Sequence, residues 1–320
     1  MRRLRVLVCG TNYGRAYLAA LARNSRKYEL AGILAQGSAR SRDLAAANGV
    51  PLYGSAEELP DNIDLACAAM SSAAWPVVLL LIRHGVHILC EHPQRPEALK
   101  KAIAAARKRN LQFHLNGHFG NLPSARAFAR ACERASKLTR PEFIEVLATE
   151  RSLYATLDTL RMALGKLRPL RVRRLARRTP FVLLEGSLGK VPIHFKVQVS
   201  GKRGTGQLAD GSPDYILDLR VTVGFPTGLL TLLSIGGPVV WNANPAHAIK
   251  NGTSLWSILC EQETKTVDDL REQRIQANLD ALNCIRQSIL GHGTPQAQQP
   301  QHMLEVSGAW ESISRKLYSA

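Results

Sequence analysis

Over the first 115 residues, short apolar runs alternate with segments of helical periodicity, and this alternation is the tightest constraint on the fold. "LRVLVCG", "YELAGILAQG", "IDLACAAMS", "VHILCEHP" and "LQFHLNGH" read as strands. "YGRAYLAALARNS", "SRDLAAANG", "AWPVVLLLIRHG" and "PEALKKAIAAARKRN" read as helices between them. Strands apolar along their whole length bury both faces, and intervening helices are the crossovers of a parallel, doubly wound sheet. After residue 118 the pattern changes. Two helices flank the strand "PEFIEVLATE", and from 171 to 242 β-type runs follow one another across Gly/Ser/Asp turns. That succession predicts a large, mainly antiparallel sheet in a second, α+β domain. A long helix, "TVDDLREQRIQANLDALNCIRQSIL", leads to the polar linker "GHGTPQAQQPQ" and a last helix.

The first strand–turn–helix, "RVLVCGTNYGRAYLAAL" (5–21), stands where a Rossmann sheet receives a dinucleotide pyrophosphate at a helix N-terminus. The usual G-x-G-x-x-G is reduced to Gly10 and Gly14, with Thr11, Asn12 and Tyr13 between them. Position in the fold order, not the bare G-x-x-x-G, marks these five residues as the pyrophosphate turn. The end of the second strand selects the cofactor. NAD enzymes place Asp or Glu there for the ribose 2′-hydroxyl. Here no acid occurs between residues 30 and 42, whereas Gln36, Ser38, Arg40, Ser41 and Arg42 offer donors and positive charge. That chemistry suits a 2′-phosphate, so NADPH/NADP is the expected cofactor, with Ser38, Arg40 and Ser41 holding the phosphate.

Charge and cysteine content narrow the class. The net charge is +17, and "KLRPLRVRRLARR" (166–178) carries seven basic residues and no acid. Zinc-finger spacing, a helix-turn-helix pattern and aromatic RNA-binding strands are missing, so an acidic protein partner is expected rather than nucleic acid. The alternative is a basic strand that merely solvates its face. No apolar run approaches the roughly 20 residues of a membrane span, and the basic start lacks the apolar core and cleavage site of a signal peptide. Six cysteines without a C-x-x-C pair, in apolar surroundings, predict reduced core thiols of a cytoplasmic protein. His84 and His87 have metal-ligand spacing, but a glycine break puts one at a helix end and one on a strand. No metal site is expected.

"ILCEHPQ" (88–94) ends the fourth long strand in E-x-P. With the fold order and the antiparallel second domain, it resembles the glucose–fructose oxidoreductase (Gfo/Idh/MocA) family, whose members carry E-K-P with the lysine near the nicotinamide. Glu91 and Pro93 match, and His92 stands at the lysine position. The family's helical D-x-x-x-H aligns with "LDTLRM", where Asp158 matches and Met162 replaces the histidine. Loss of both proton-transfer residues argues against a sugar substrate, whose oxidation needs a base. "CGTNYGRAYL", "LAGILAQGSARSRDLA" and "CEHP" together resemble the thiazolinyl imine reductases of pyochelin- and yersiniabactin-type siderophore assembly.

That narrower resemblance implies NADPH-dependent reduction of a thiazoline C=N to a thiazolidine. The substrate would be tethered to the carrier domain of a nonribosomal peptide synthetase, and the enzyme would be a homodimer formed through the large sheet. Phe119 falls where relatives place a proposed proton-donating tyrosine. His92 is then the candidate acid, with His118 and His114 less well suited, and water a further source of the proton. Met70, Ser71 and Ser72, with Glu91 and His92, would line the cofactor path. The expected domains are an NADP-binding Rossmann domain (1–117), a substrate and dimerisation domain (118–295), and a linker with C-terminal helix (296–320) packing back on the first domain. Two other readings stay open: a related NADP oxidoreductase acting on a free small molecule, and a non-catalytic NADP-binding scaffold or sensor.

Overall fold

A computed structural model of the chain describes residues 2–70, 75–178, 180–199, 219–260 and 266–318. Its first unit comprises Met1–His118 together with Arg271–Leu304. Six parallel strands form its sheet: β1 (Leu4–Cys9), β2 (Tyr28–Leu34), β3 (Leu52–Tyr53), β4 (Leu65–Ala68), β5 (His87–Glu91) and β6 (Phe113–Asn116). They are ordered β3-β2-β1-β4-β5-β6. Helices α1 (Arg15–Ala22), α2 (Ala39–Ala47), α3 (Trp75–Arg83) and α4 (Pro96–Lys108) supply crossovers. Strand order reverses between β1 and β4, and a doubly wound sheet opens its ligand crevice at the carboxyl ends of such a pair.

Local chemistry explains the elements. Every residue of β4 is buried, as the apolar run requires. Pro96 at the first turn, Glu97 beside it, and Arg107 and Lys108 in the last turn suit α4 at both ends of its dipole. The exposed edge of β6 is closed by one side chain. Gln298 accepts from the Leu115 N–H and donates to the Leu115 carbonyl, both at 2.9 Å, as a neighbouring strand's peptide would.

The second unit comprises Phe119–Leu270 and Glu305–Ala320. It holds α5 (Pro123–Leu138), β7 (Phe143–Thr149), α6 (Leu153–Leu164), β8 (Leu170–Arg178), β9 (Phe181–Leu188), β10 (Val191–Gln198), β11 (Leu219–Phe225), β12 (Gly228–Leu232), β13 (Val239–Ala243), α7 (Pro245–Asn251) and β14 (Trp256–Ile258). The sheet order is β14-β13-β12-β11-β7-β10-β9-β8. Among the described residues, only the β7–β10 pairing is parallel. This is the mainly antiparallel sheet that the turn-rich sequence predicts.

Two helices complete the chain: α8 (Val267–Ile289) and α9 (Pro300–Tyr318). They correct the expected domain limits. From Arg271 onward α8 belongs to the first unit, because Leu279, Leu282 and Ile285 share one core with Leu4, Val6 and Val8 of β1 and Tyr17 and Leu21 of α1. The stretch 296–320, expected to pack on the first domain, is divided: residues up to Leu304 group with the first unit and Glu305–Ala320 with the second. Glu305 pairs with Arg161 at 2.8 Å and accepts the Leu167 amide, and Tyr318 donates to Glu150. Among the described residues, no helix is long and apolar enough to cross a membrane.

Candidate active site at the strand ends of the first unit

Both glycines of the first turn are demanded by geometry. Gly10 has φ +87°, and a Cβ there would lie 2.5 Å from the Ala69 carbonyl oxygen. A Cβ on Gly14 would lie 2.0 Å from the Gly10 oxygen and 2.9 Å from Val8 Cγ1. The shortened motif therefore keeps two functions of the longer fingerprint, a tight turn and a close helix–strand approach. Within the turn Thr11 is buried, Asn12 exposed and Tyr13 half-buried. The expected Met70 lies beside it, 3.4 Å from the Gly10 Cβ position. Ser71 and Ser72 lie outside the described residues.

After β2 the residues expected at the 2′-phosphate separate into two groups. Ser41 is buried, and its hydroxyl donates to the Ser38 carbonyl at 2.9 Å, so it serves the start of α2. Ser38 caps that helix, accepting the Ser41 N–H at 3.3 Å. Arg42 folds back onto the Gly37 carbonyl. Ser38 and Arg40 are exposed, and Arg40 is the exposed cation of the expected set.

At the ends of β5 and β6 the polar groups converge. Glu91 and Asn116 are register partners, only 8% and 0% exposed. Glu91 Oε1 accepts from the Tyr17 hydroxyl and from Asn116 Nδ2, the latter at 2.7 Å. Asn116 Nδ2 also lies 2.7 Å from the Tyr17 oxygen and 2.8 Å from Asn278 Oδ1 on α8. Two amide hydrogens thus face three acceptors. Burial pushes the Glu91 carboxyl up to about 7, against the lowering effect of these hydrogen bonds.

His92 is half-buried, with Nδ1 2.6 Å from the Asn116 carbonyl and 3.9 Å from Glu91 Oε2. A carbonyl only accepts, so Nδ1 carries the hydrogen and Nε2 is the nitrogen that exchanges protons. His118 is buried. Its Nε2 lies 2.9 Å from the Tyr13 hydroxyl, and its ring is 5.5 Å from that of His92. Burial, and then the neighbouring His92 and Arg274, hold His118 well below the usual imidazole range. It is neutral at physiological pH, which makes it a poor acid.

His114 is buried and pushed down to about 4, chiefly by burial. His87 accepts the Gln112 N–H through Nδ1 at 2.8 Å, and His84 is exposed. All six cysteines are free thiols. Cys9, Cys67, Cys90 and Cys132 are buried, and burial raises each thiol's pKa, which leaves them inert. In the second unit, Asp158 Oδ2 and Met162 Sδ lie 3.3 and 2.9 Å from where Gly120 would carry a Cβ. Tyr17, Asn116 and Asn278 are site residues that sequence reading missed. Asn116 alone left a signal, a polar residue ending an apolar strand as Glu91 ends the strand paired with it.

Residues 4–117 match the model of GFO_IDH_MocA, the oxidoreductase family with an NAD-binding Rossmann fold. The match spans the six-stranded parallel sheet and stops before the second unit. The whole chain is similar in fold to several solved structures. One is GenD2 from gentamicin A biosynthesis in complex with NAD (17% identity, TM-score 0.70, 99% of this chain and 94% of that one covered). Another is an oxidoreductase from Agrobacterium radiobacter in complex with NAD+, L-tartaric acid and magnesium (12%, 0.73, 99% and 97%). A third is the WlbA dehydrogenase from Bordetella pertussis in complex with NADH and UDP-GlcNAcA (13%, 0.72, 98% and 95%). No curated protein sequence matches the chain. The turn has the form that a dinucleotide-binding turn needs, since only glycines at positions 10 and 14 allow the close backbone approaches that bring the start of α1 to the end of β1.

Proposed function

We propose that the chain is an NADPH-dependent reductase that converts a carrier-tethered thiazoline C=N to a thiazolidine, in siderophore assembly of the pyochelin kind. The observation that carries this reading is His92 at the E-x-P strand end. An imidazole with a fixed tautomer and an adjacent carboxylate replaces the lysine of the sugar dehydrogenases. Imine reduction needs no base to remove a hydroxyl proton; it needs one proton delivered to nitrogen as hydride reaches carbon. The dihydronicotinamide, when bound, supplies that hydride.

The remaining work falls to this chain's own residues. The backbone from Gly10 to Gly14 holds the pyrophosphate at the α1 N-terminus, with Met70 beside it. Arg40 and Ser38 take the 2′-phosphate. Glu91, when ionised, favours the His92 imidazolium, and Nε2 releases its proton to the substrate nitrogen. Phe119, at the place of the relatives' tyrosine, contributes no proton. Orientation of the C=N against the hydride supplies the rest of the rate.

Two partners belong to this reading. The arginines of β8 would steer an acidic carrier domain towards the enzyme. The open face of the large sheet, where Leu147, Leu183, Leu229, Trp256 and Ile258 are half-buried or exposed, would join a second copy in a homodimer. Six free thiols suit a reducing, cytoplasmic setting.

Steady-state assays test the proposal directly. NADPH oxidation is expected with a carrier-bound or free thiazoline and not with a free polyol, and His92→Asn is expected to lower kcat roughly 10- to 1000-fold. Turnover of the polyol alone would point to the related oxidoreductase reading. NADPH binding without turnover of any thiazoline would point to a scaffold or sensor.

A further inference from the structure

Glu91, His92 and His118 each present one donor atom, and the three atoms lie within 4.8 Å of one another. All three residues belong to the first unit. Two imidazoles and a carboxylate form a donor set suited to a borderline divalent ion such as zinc. The supporting contacts are those that orient metal ligands elsewhere. His92 is held through the Asn116 carbonyl, His118 through the Tyr13 hydroxyl, and Glu91 Oε1 through Tyr17 and Asn116, with Oε2 turned towards His92.

The cluster is also rich in acceptors. Beyond the carboxylate, Asn116 Oδ1 is buried with no hydrogen-bond partner, although Asn116 itself is 0% exposed. A buried group of lone pairs short of donors is stabilised by a cation. We propose that Glu91, His92 and His118 form a binding site for one zinc-class divalent ion. A coordinated His92 has no proton to give, so the ion and the acid exclude each other, and zinc suppresses turnover. That consequence rests on the reductase reading; the binding itself does not.

The test is a zinc titration of the full-length protein, stripped with a chelator and free of cofactor and substrate, in competition with a chromophoric chelator. One equivalent is expected, with His92→Ala and His118→Ala each weakening it roughly tenfold or more. His247→Ala, at an exposed histidine of α7, should leave it unchanged. Thermal melts in chelator show whether each variant is folded. Cobalt(II) added to the unmutated protein reads the same site without mutation, through the strong visible absorption of a low-coordinate nitrogen–oxygen site. Weak, six-coordinate cobalt absorption, no stoichiometric zinc, or equal binding by folded variants would overturn the proposal. Because binding is read without turnover, a failed thiazoline assay leaves this result standing.

Discussion

Glu91 and Arg173 are both charged side chains on strands, and each touches an oppositely polar neighbour, yet they answer to different physics. Glu91 sits at 8% exposure among Tyr17, Asn116 and His92. Arg173, on the edge strand β8, has its side chain 76% exposed and pairs with Glu185. In the dry cluster each group sets its neighbour's protonation, and removing one strands the others. On the wet strand water and salt screen the pair, and the charges act nearly one by one. Chemistry that depends on coupled protons belongs at the first place. Long-range steering belongs at the second.

Substitutions can break or sharpen that contrast. The largest stability effect is expected for Asn116→Leu, which strips hydrogen bonds from Glu91, Tyr17 and Asn278 and leaves a buried carboxylate undersupplied. A loss of about 3 to 5 kcal/mol is expected in urea unfolding. A loss under about 1 kcal/mol would mean that water serves the cluster and the contrast is false.

Next is pH. His114 titrates near 4 when folded, below the ordinary histidine value. Between that value and about 6.5 the unfolded chain binds the proton that the buried ring refuses. Its contribution to stability is therefore present above pH 6.5 or so and lost as pH falls towards 4, by up to about 3 kcal/mol. Glu91 has the opposite sense, since its raised value favours the folded state at low pH and that contribution fades as pH rises towards 7. The difference between the unmutated protein and His114→Gln isolates the histidine. A pH-independent difference would show that this ring is solvated.

Arg40 lies between the two regimes, exposed like Arg173 but expected to grip one phosphate. Arg40→Ala should raise KM for NADPH roughly tenfold, about 1.4 kcal/mol, and leave NADH nearly unaffected. Equal use of NADH and NADPH by the unmutated protein would remove the basis for that expectation. The smallest effect on stability belongs to Arg171→Glu with Arg173→Glu, within about 0.5 kcal/mol. The pair should lower kcat/KM for carrier-bound substrate, less so at high salt, and spare a small untethered thiazoline. Equal loss on both substrates would indicate a folding defect instead.

The contrast also explains what could be read in advance. Apolar runs and their spacing declared the parallel sheet, and Gly10 and Gly14 declared the turn, because those signals are local. The β8 arginines were legible for the same reason. The partners of Glu91 were not: Tyr17, Asn116 and Asn278 come from a helix, a strand and a second helix far apart in the chain, joined only by register and packing. Helix α8 shows the same limit. Its amphipathic pattern says that one face is covered, not by what, so its place in the first core had to come from structure.

Gln298 has a consequence for how the molecule behaves in company. Its amide imitates a peptide at the border of the first sheet, so the width of that sheet is set by one side chain. Take the amide away, as in Gln298→Ala, and the frontier strand becomes a landing place for any extended segment nearby, including one from a neighbouring molecule. The symptom would be crowding: clumping that grows with protein concentration, in molecules whose own folding is otherwise intact.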